Sequence, residues 1–206
     1  MTKPTAKRGT ARPSAAVYSV FGLVAGVVLV VIGGFLWRSA SSERPSIGGP
    51  FSLESGAGKI VTASDFRGKY MLVYFGYTFC PDICPTALSA MTTALQTLGP
   101  KKREDLAPIF ITVDPERDTP QVMRRYTTAL SPNLIGLTGT PDEIAKVARE
   151  YRVYYAKHAT GPGRDDYSMD HSSIIYLMGP DGRFIAPIPA EQSPAEMAAD
   201  IRRLMS

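Results

Sequence analysis

Residues 70–88 read YMLVYFGYTFCPDICPTAL, and the order of signals within this stretch decides the fold. Residues 70–77 form a nearly continuous apolar run, the pattern of a strand covered on both faces. Cys80 and Cys84 follow at once, bracketed by Pro81 and Pro85, and they are the only cysteines in 206 residues. Beyond them Leu88, Met91, Leu95 and Leu98 recur at helical spacing until Gly99-Pro100 stops the run. A buried strand, a dithiol and a helix therefore stand in direct succession.

A structural disulfide gains most from closing a long loop, and a bridge between neighbours four residues apart closes almost none. The pair is better explained as a redox dithiol or as two donors for one ion. Two inert buried thiols are the bland alternative, and the proline bracket and strand-end position argue against it. Residues i and i+4 on a helix share a face with Cα atoms about 6 Å apart, so the pair can either oxidise or chelate. A nearby helix N-terminus favours negative charge and lowers a thiol pKa, which assists both chemistries.

Outward from this unit, strand and helix signals alternate. PIFITV at 108–113 reads as a second buried strand, and Thr119-Pro120 opens a helix running to Leu130. A short strand is expected at 133–137, then a capping box at Thr140-Pro141-Asp142-Glu143 and a helix to Tyr151. The segments 173–178 and 183–188 flank Gly179-Pro180-Asp181-Gly182, a hairpin signal, and Ser193-Pro194-Ala195-Glu196 caps a last helix. That order predicts an α/β domain, a central sheet with flanking helices. Ligands of such sheets sit outside the carboxyl ends of the strands, where both cysteines and Asp114 fall. A dithiol at the end of the first long strand is the thioredoxin arrangement, although the spacing here is CxxxC and not CxxC.

The N-terminal region reads differently. Residues 17–37, VYSVFGLVAGVVLVVIGGFLW, carry no charge, and as a helix they span about 31 Å, close to the hydrocarbon thickness of a bilayer. The run is long for a cleaved signal peptide and uniformly apolar for a core helix, so one uncleaved transmembrane anchor is expected. The basic, acid-free residues 1–16 are then cytoplasmic, 38–50 is a flexible Ser/Gly/Pro tether, and the domain at 51–206 is exported. A bacterial inner membrane with a periplasmic domain is the preferred location, and a mitochondrial inner membrane is the second. The formal charge of +4 comes from Lys3, Lys7, Arg8 and Arg12; the other 19 basic residues balance 19 acidic ones, so no nucleic-acid footprint is expected.

Two histidines remain as metal candidates. His158 lies in the polar, Gly-rich stretch YYAKHATGPGR and reads as a solvated loop residue. His171 directly precedes the strand expected from Ser173, which brings it to the sheet edge that carries the dithiol. Met169 offers a soft fourth donor but reads more simply as core. Two thiolates and an imidazole suit copper as Cu(I), with Cu(II) as a second state. Zinc is the minority reading, with Asp114 or Asp170 completing a tetrahedron. Asp118 reads as part of a helix cap, and Asp114 as either a turn former before Pro115 or a partner near the metal.

The segments YFGYTFCPDICPTAL (74–88), TVDPERDTP (112–120), LTGT (137–140) and YSMDHSSIIYLMGPDG (167–182) closely resemble the Sco/SenC family of membrane-anchored copper proteins. The resemblance covers essentially all of 45–206. It implies a thioredoxin-like fold, copper held by Cys80, Cys84 and His171, and a role in assembling the CuA centre of cytochrome c oxidase. Implied partners are the CuA-bearing subunit, an upstream copper donor and the membrane. Ala87 departs from the pattern, since many relatives carry Glu there, and a charge at the site rim is expected to be missing. Where thioredoxin-like reductases place a cis-proline before the strand, this chain has Asp170-His171-Ser172, which tilts the reading from disulfide exchange towards metal handling.

Two functions follow. One is a copper-delivering assembly factor; the other is a thiol-disulfide reductase in which Cys80 and Cys84 keep the CuA-site cysteines reduced. A peroxidase on the same scaffold is a third reading that no residue favours.

Overall fold

In the computed structural model the described residues are 47–205, together with Gly26, Val28, Val30, Val31 and Ile32, which are helical. The expected anchor at 17–37 otherwise lies outside the described residues, as do 1–16 and most of the tether; among the described residues, no helix is long and apolar enough to cross a membrane.

The two apolar runs form the centre of the domain. β3 (Tyr70–Gly76) and β4 (Leu106–Thr112) pair in parallel, Tyr70 opposite Leu106 and Gly76 opposite Thr112, and nearly every residue of both is buried. β5 (Ile135–Thr138) adds in parallel beyond β4, while β8 (Ile174–Met178) runs antiparallel on the other side of β3. β9 (Phe184–Pro189) closes that edge, turning at Gly182 with φ +77°, a conformation that glycine adopts without strain. On the opposite edge a hairpin of β1 (Ser52–Ser55) and β2 (Ile60–Thr62) pairs with β5, giving the order β2-β1-β5-β4-β3-β8-β9.

Helices cover both faces, and strand alternation decides which side chains they meet. Tyr74 and Gly76 face α1 (Ile83–Thr97) and α3 (Pro120–Leu130), with Phe110 and Tyr126 continuing the aromatic layer. Phe75 points the other way, against Tyr151 at the end of α4 (Pro141–Glu150) and against Tyr176. A short helix, α2 (Pro100–Glu104), precedes β4, and α5 (Pro194–Leu204) packs on α1. The capping boxes read from sequence at Thr140/Glu143 and Ser193/Glu196 are both formed.

The structure adds elements that the sequence pattern hides. β6 (Tyr155–Ala159) and β7 (Tyr167–His171) make a separate two-stranded sheet; β6 is polar and half-exposed, and β7 alternates buried Tyr167 and Met169 with polar residues over only five positions. His158, expected in a loop, lies on β6. His171 ends β7, with Ser172 and Ser173 leading into β8.

Candidate metal centre

Cys80 and Cys84 occupy the connection from β3 to α1, at the carboxyl end of the central strands. Only Cys84 is helical, in the first turn of α1; Cys80 lies three residues before the helix, and its sulfur receives the Cys84 amide at 3.4 Å. Both thiols are free, Cys84 buried and Cys80 half-buried. β7 delivers His171 from the far side, 87 residues later, with Nε2 3.2 Å from the Cys84 sulfur. The three donor atoms lie within 4.8 Å of one another, the one such cluster of three or more His, Cys, Asp or Glu donors among the described residues.

The imidazole is fixed in orientation. Its Nδ1 lies 3.2 Å from the Ser172 carbonyl, which can only accept, so Nδ1 carries the proton and Nε2 turns a lone pair towards the sulfur. Tyr74 and Tyr77 hold the ring edge-on at 5.9 and 6.1 Å. Burial also lowers the His171 pKa, which favours the neutral ring that a metal requires. At Cys84 the helix N-terminus does not lower the thiol pKa as expected: burial dominates and pushes this thiol up to about 12. Cys84 therefore stays protonated until something cationic replaces its proton.

Gly76 makes the sulfur's position available. A Cβ on it would lie 2.7 Å from the Cys84 sulfur and 3.1 Å from Phe110. The other expected residues sort clearly. His158 pairs with Asp170 at 2.8 Å on the exposed face of the hairpin, away from the cluster. Met169 is buried in the hydrophobic core. Ala87 is buried on α1, so the position that departs from the family pattern faces the interior and not the site rim.

The segment after β4 does more than its sequence showed. Asp118 caps nothing; Thr119 is the N-cap of α3. Asp118 is instead fully buried and accepts from the Thr78 amide at 3.0 Å, the Thr78 hydroxyl, and the Thr112 hydroxyl at 2.6 Å. It thus ties down the loop that leads into Cys80. Asp114 is paired with Arg117 and accepts from the Tyr167 hydroxyl at 2.7 Å, a buried partner network and not merely a turn. Arg117 joins three segments: its guanidinium stacks 3.5 Å from the Tyr167 ring centroid and 4.7 Å from that of Phe79, and it donates to the Tyr167 carbonyl at 2.9 Å. Arg117, Tyr167, Thr78, Tyr74 and Gly76 escaped sequence reasoning. Four charges crowded into 114–118 at a strand's carboxyl end were the available signal.

The donor set fits a soft ion of low coordination number: two sulfurs, one oriented imidazole nitrogen, and a wall of aromatic rings. A strand–dithiol–helix unit on a parallel-centred sheet, met by an imidazole from a separate hairpin, defines a thioredoxin-like domain adapted to such an ion. The chain belongs to the SCO1/SenC family, whose model matches residues 39–206. It is 44% identical over 167 residues to the mitochondrial SCO1 homolog of Homo sapiens, covering 80% of this chain and 54% of that protein. The chain spans about half the length of the first curated relatives it matches. Among solved structures, copper-bound ScoI of Bradyrhizobium japonicum is 49% identical with a TM-score of 0.69, covering 77% of this chain and 99% of that one. Copper-bound yeast Sco1 is 38% identical with a TM-score of 0.71, covering 79% and 90%.

Proposed function

We propose that this protein is a copper-binding assembly factor for cytochrome c oxidase, holding copper through Cys80, Cys84 and His171 and passing it to the CuA-bearing subunit. The observation that carries this reading is the His171 ring, whose proton is committed to the Ser172 carbonyl while Nε2 stands 3.2 Å from the Cys84 sulfur. A dithiol meant only for disulfide exchange has no use for a third, oriented donor. Relatives solved with copper bound, and the standing of the Sco family as cytochrome c oxidase assembly proteins, support the same assignment.

Copper supplies the cargo and a soft Lewis acid that binds thiolates. The chain's own residues do the rest. Cys84 gives up its proton only when a cation compensates for burial, so the site discriminates against an empty, charged state. Cys80, half-buried, is the sulfur that an incoming donor or acceptor protein reaches first. In this proposal residues 17–37 anchor the domain in a bacterial inner membrane, facing the periplasm, where an upstream donor loads it.

A second reading, thiol-disulfide reductase for the CuA-site cysteines, is favoured by one feature. Cys80 is accessible and its sulfur sits against an α1 amide, as an attacking thiol requires. One comparison separates the two. Anaerobic Cu(I) titration of the reduced full chain and of His171→Ala is expected to show one-to-one binding weakened at least tenfold by the substitution. Equal affinity in both proteins, with disulfide reduction intact in His171→Ala, would move the assignment to the reductase.

A further inference from the structure

Tyr74 holds a buried donor without a partner, directly behind the dithiol. Its side chain is fully buried, and its hydroxyl has no hydrogen-bond partner. Its ring lies nearly parallel to Phe110 at 6.3 Å and edge-on to His171 at 5.9 Å. The space above Gly76 shows how close the sulfur is. A Cβ placed there would meet the Cys84 sulfur at 2.7 Å, Phe110 at 3.1 Å and the Tyr74 ring edge at 3.4 Å, so all three converge on one small volume. After burial, the side chains that act on the hydroxyl are those of Cys84, Cys80 and Ser173, and Cys84 pushes its pKa further up.

An orphaned buried hydroxyl is costly, and a fold tolerates one where another state of the protein satisfies it. The two states of Cys84 supply that difference. A thiol sulfur is a weak acceptor, whereas a thiolate is an anion to which an O–H donates a short, charge-assisted bond. We propose that Tyr74 is a positioning residue of the metal site: its hydroxyl donates to the Cys84 sulfur when that sulfur serves as a thiolate ligand, holding it beside His171. The inference rests on the copper reading above and adds to it a donor outside the ligand set. Hydrogen bonds to ligand sulfur withdraw electron density and so favour the reduced ion. Tyr74 therefore biases the site towards Cu(I).

Tyr74→Phe removes one oxygen and leaves the ring packing intact. The test uses the full chain, reduced and anaerobic, with Cu(I) in competition with a chromophoric Cu(I) chelator. Expected results are a Cu(I) affinity at least about tenfold weaker than wild type and a thermal midpoint of the metal-free protein that is unchanged or higher. The sulfur-to-Cu(II) charge-transfer band is expected to move to longer wavelength. A hydroxyl with a merely structural role would lower the metal-free midpoint and leave the affinity alone. Equal Cu(I) affinity in wild type and Tyr74→Phe overturns the role of Tyr74 while sparing the copper reading. Absence of Cu(I) binding by the wild type itself overturns both.

Discussion

Replacing Asp118 tests whether one buried carboxylate holds the loop that presents Cys80. Asp118 collects two donors from Thr78 and one from Thr112, 40 and six residues away in sequence. A hydrogen bond to a charged group contributes about 1.5–3 kcal/mol. The two hydroxyls can turn to other acceptors, and burial of the carboxylate carries a cost of its own, so the three bonds do not add. One strong bond lost and one amide orphaned give about 3 kcal/mol for Asp118→Ala. Asparagine offers its carbonyl oxygen to the Thr78 amide and the Thr112 hydroxyl and its N–H to the Thr78 hydroxyl, so Asp118→Asn costs under about 1 kcal/mol. Urea denaturation of the metal-free protein measures both. Burial is the largest influence on Asp118 and raises its pKa in spite of its donors, whereas the unfolded carboxyl titrates near about 3.9. The folded chain thus holds a proton that the unfolded chain has released. Stability from this group is fully present below about pH 3.9 and is lost as pH rises through the folded value. The wild type should therefore gain on Asp118→Asn as pH falls from about 7 towards 4. An alanine variant within about 0.5 kcal/mol of wild type, or an asparagine variant as damaged as the alanine one, would refute the reasoning.

Two further substitutions probe the same site from other sides. Gly76→Ala places a methyl 2.7 Å from the Cys84 sulfur; about 1–3 kcal/mol of overpacking is expected, with weaker Cu(I) binding, and denaturation paired with metal titration reads both. Arg117→Lys keeps the charge but loses the planar stack on Tyr167 and Phe79 and the bond to the Tyr167 carbonyl. Hydrogen exchange is expected to accelerate in β6 and β7 and to stay slow in β3 and β4; uniform exchange across the domain would remove Arg117 from its role as a clamp.

What the sequence discloses here is what is local or fully buried. β3 and β4 announce themselves because both faces are covered, and the caps at Thr140 and Ser193 because their partners lie three residues away. β6 and β7 stay hidden: β6 is polar and half-exposed, the alternation in β7 runs over only five residues, and their pairing is set by a partner strand. Asp118 was misread for a related reason. Its sequence neighbours spell a helix cap, yet its three hydrogen bonds run to β4 and to a loop 40 residues upstream. The cysteines were legible from spacing alone, and His171 by its place beside a strand. Arg117 stood out only as one of the charges crowded at the end of β4, because its importance lies in a tyrosine 50 residues further on.

The donors differ in how far apart they lie along the chain, four residues between the sulfurs and 87 between Cys84 and His171. An unfolded chain already owns the dithiol; only folding of β7, which continues into β8 beside β3, adds the nitrogen. A ligand stabilises a fold solely through its preference for the folded state over the unfolded one. Copper bound to the sulfurs alone would shift the folding equilibrium little. With copper held as proposed, the contribution of the metal to the stability of this domain would be set by the imidazole, and a nascent chain caught by copper at its cysteines would remain free to fold around it.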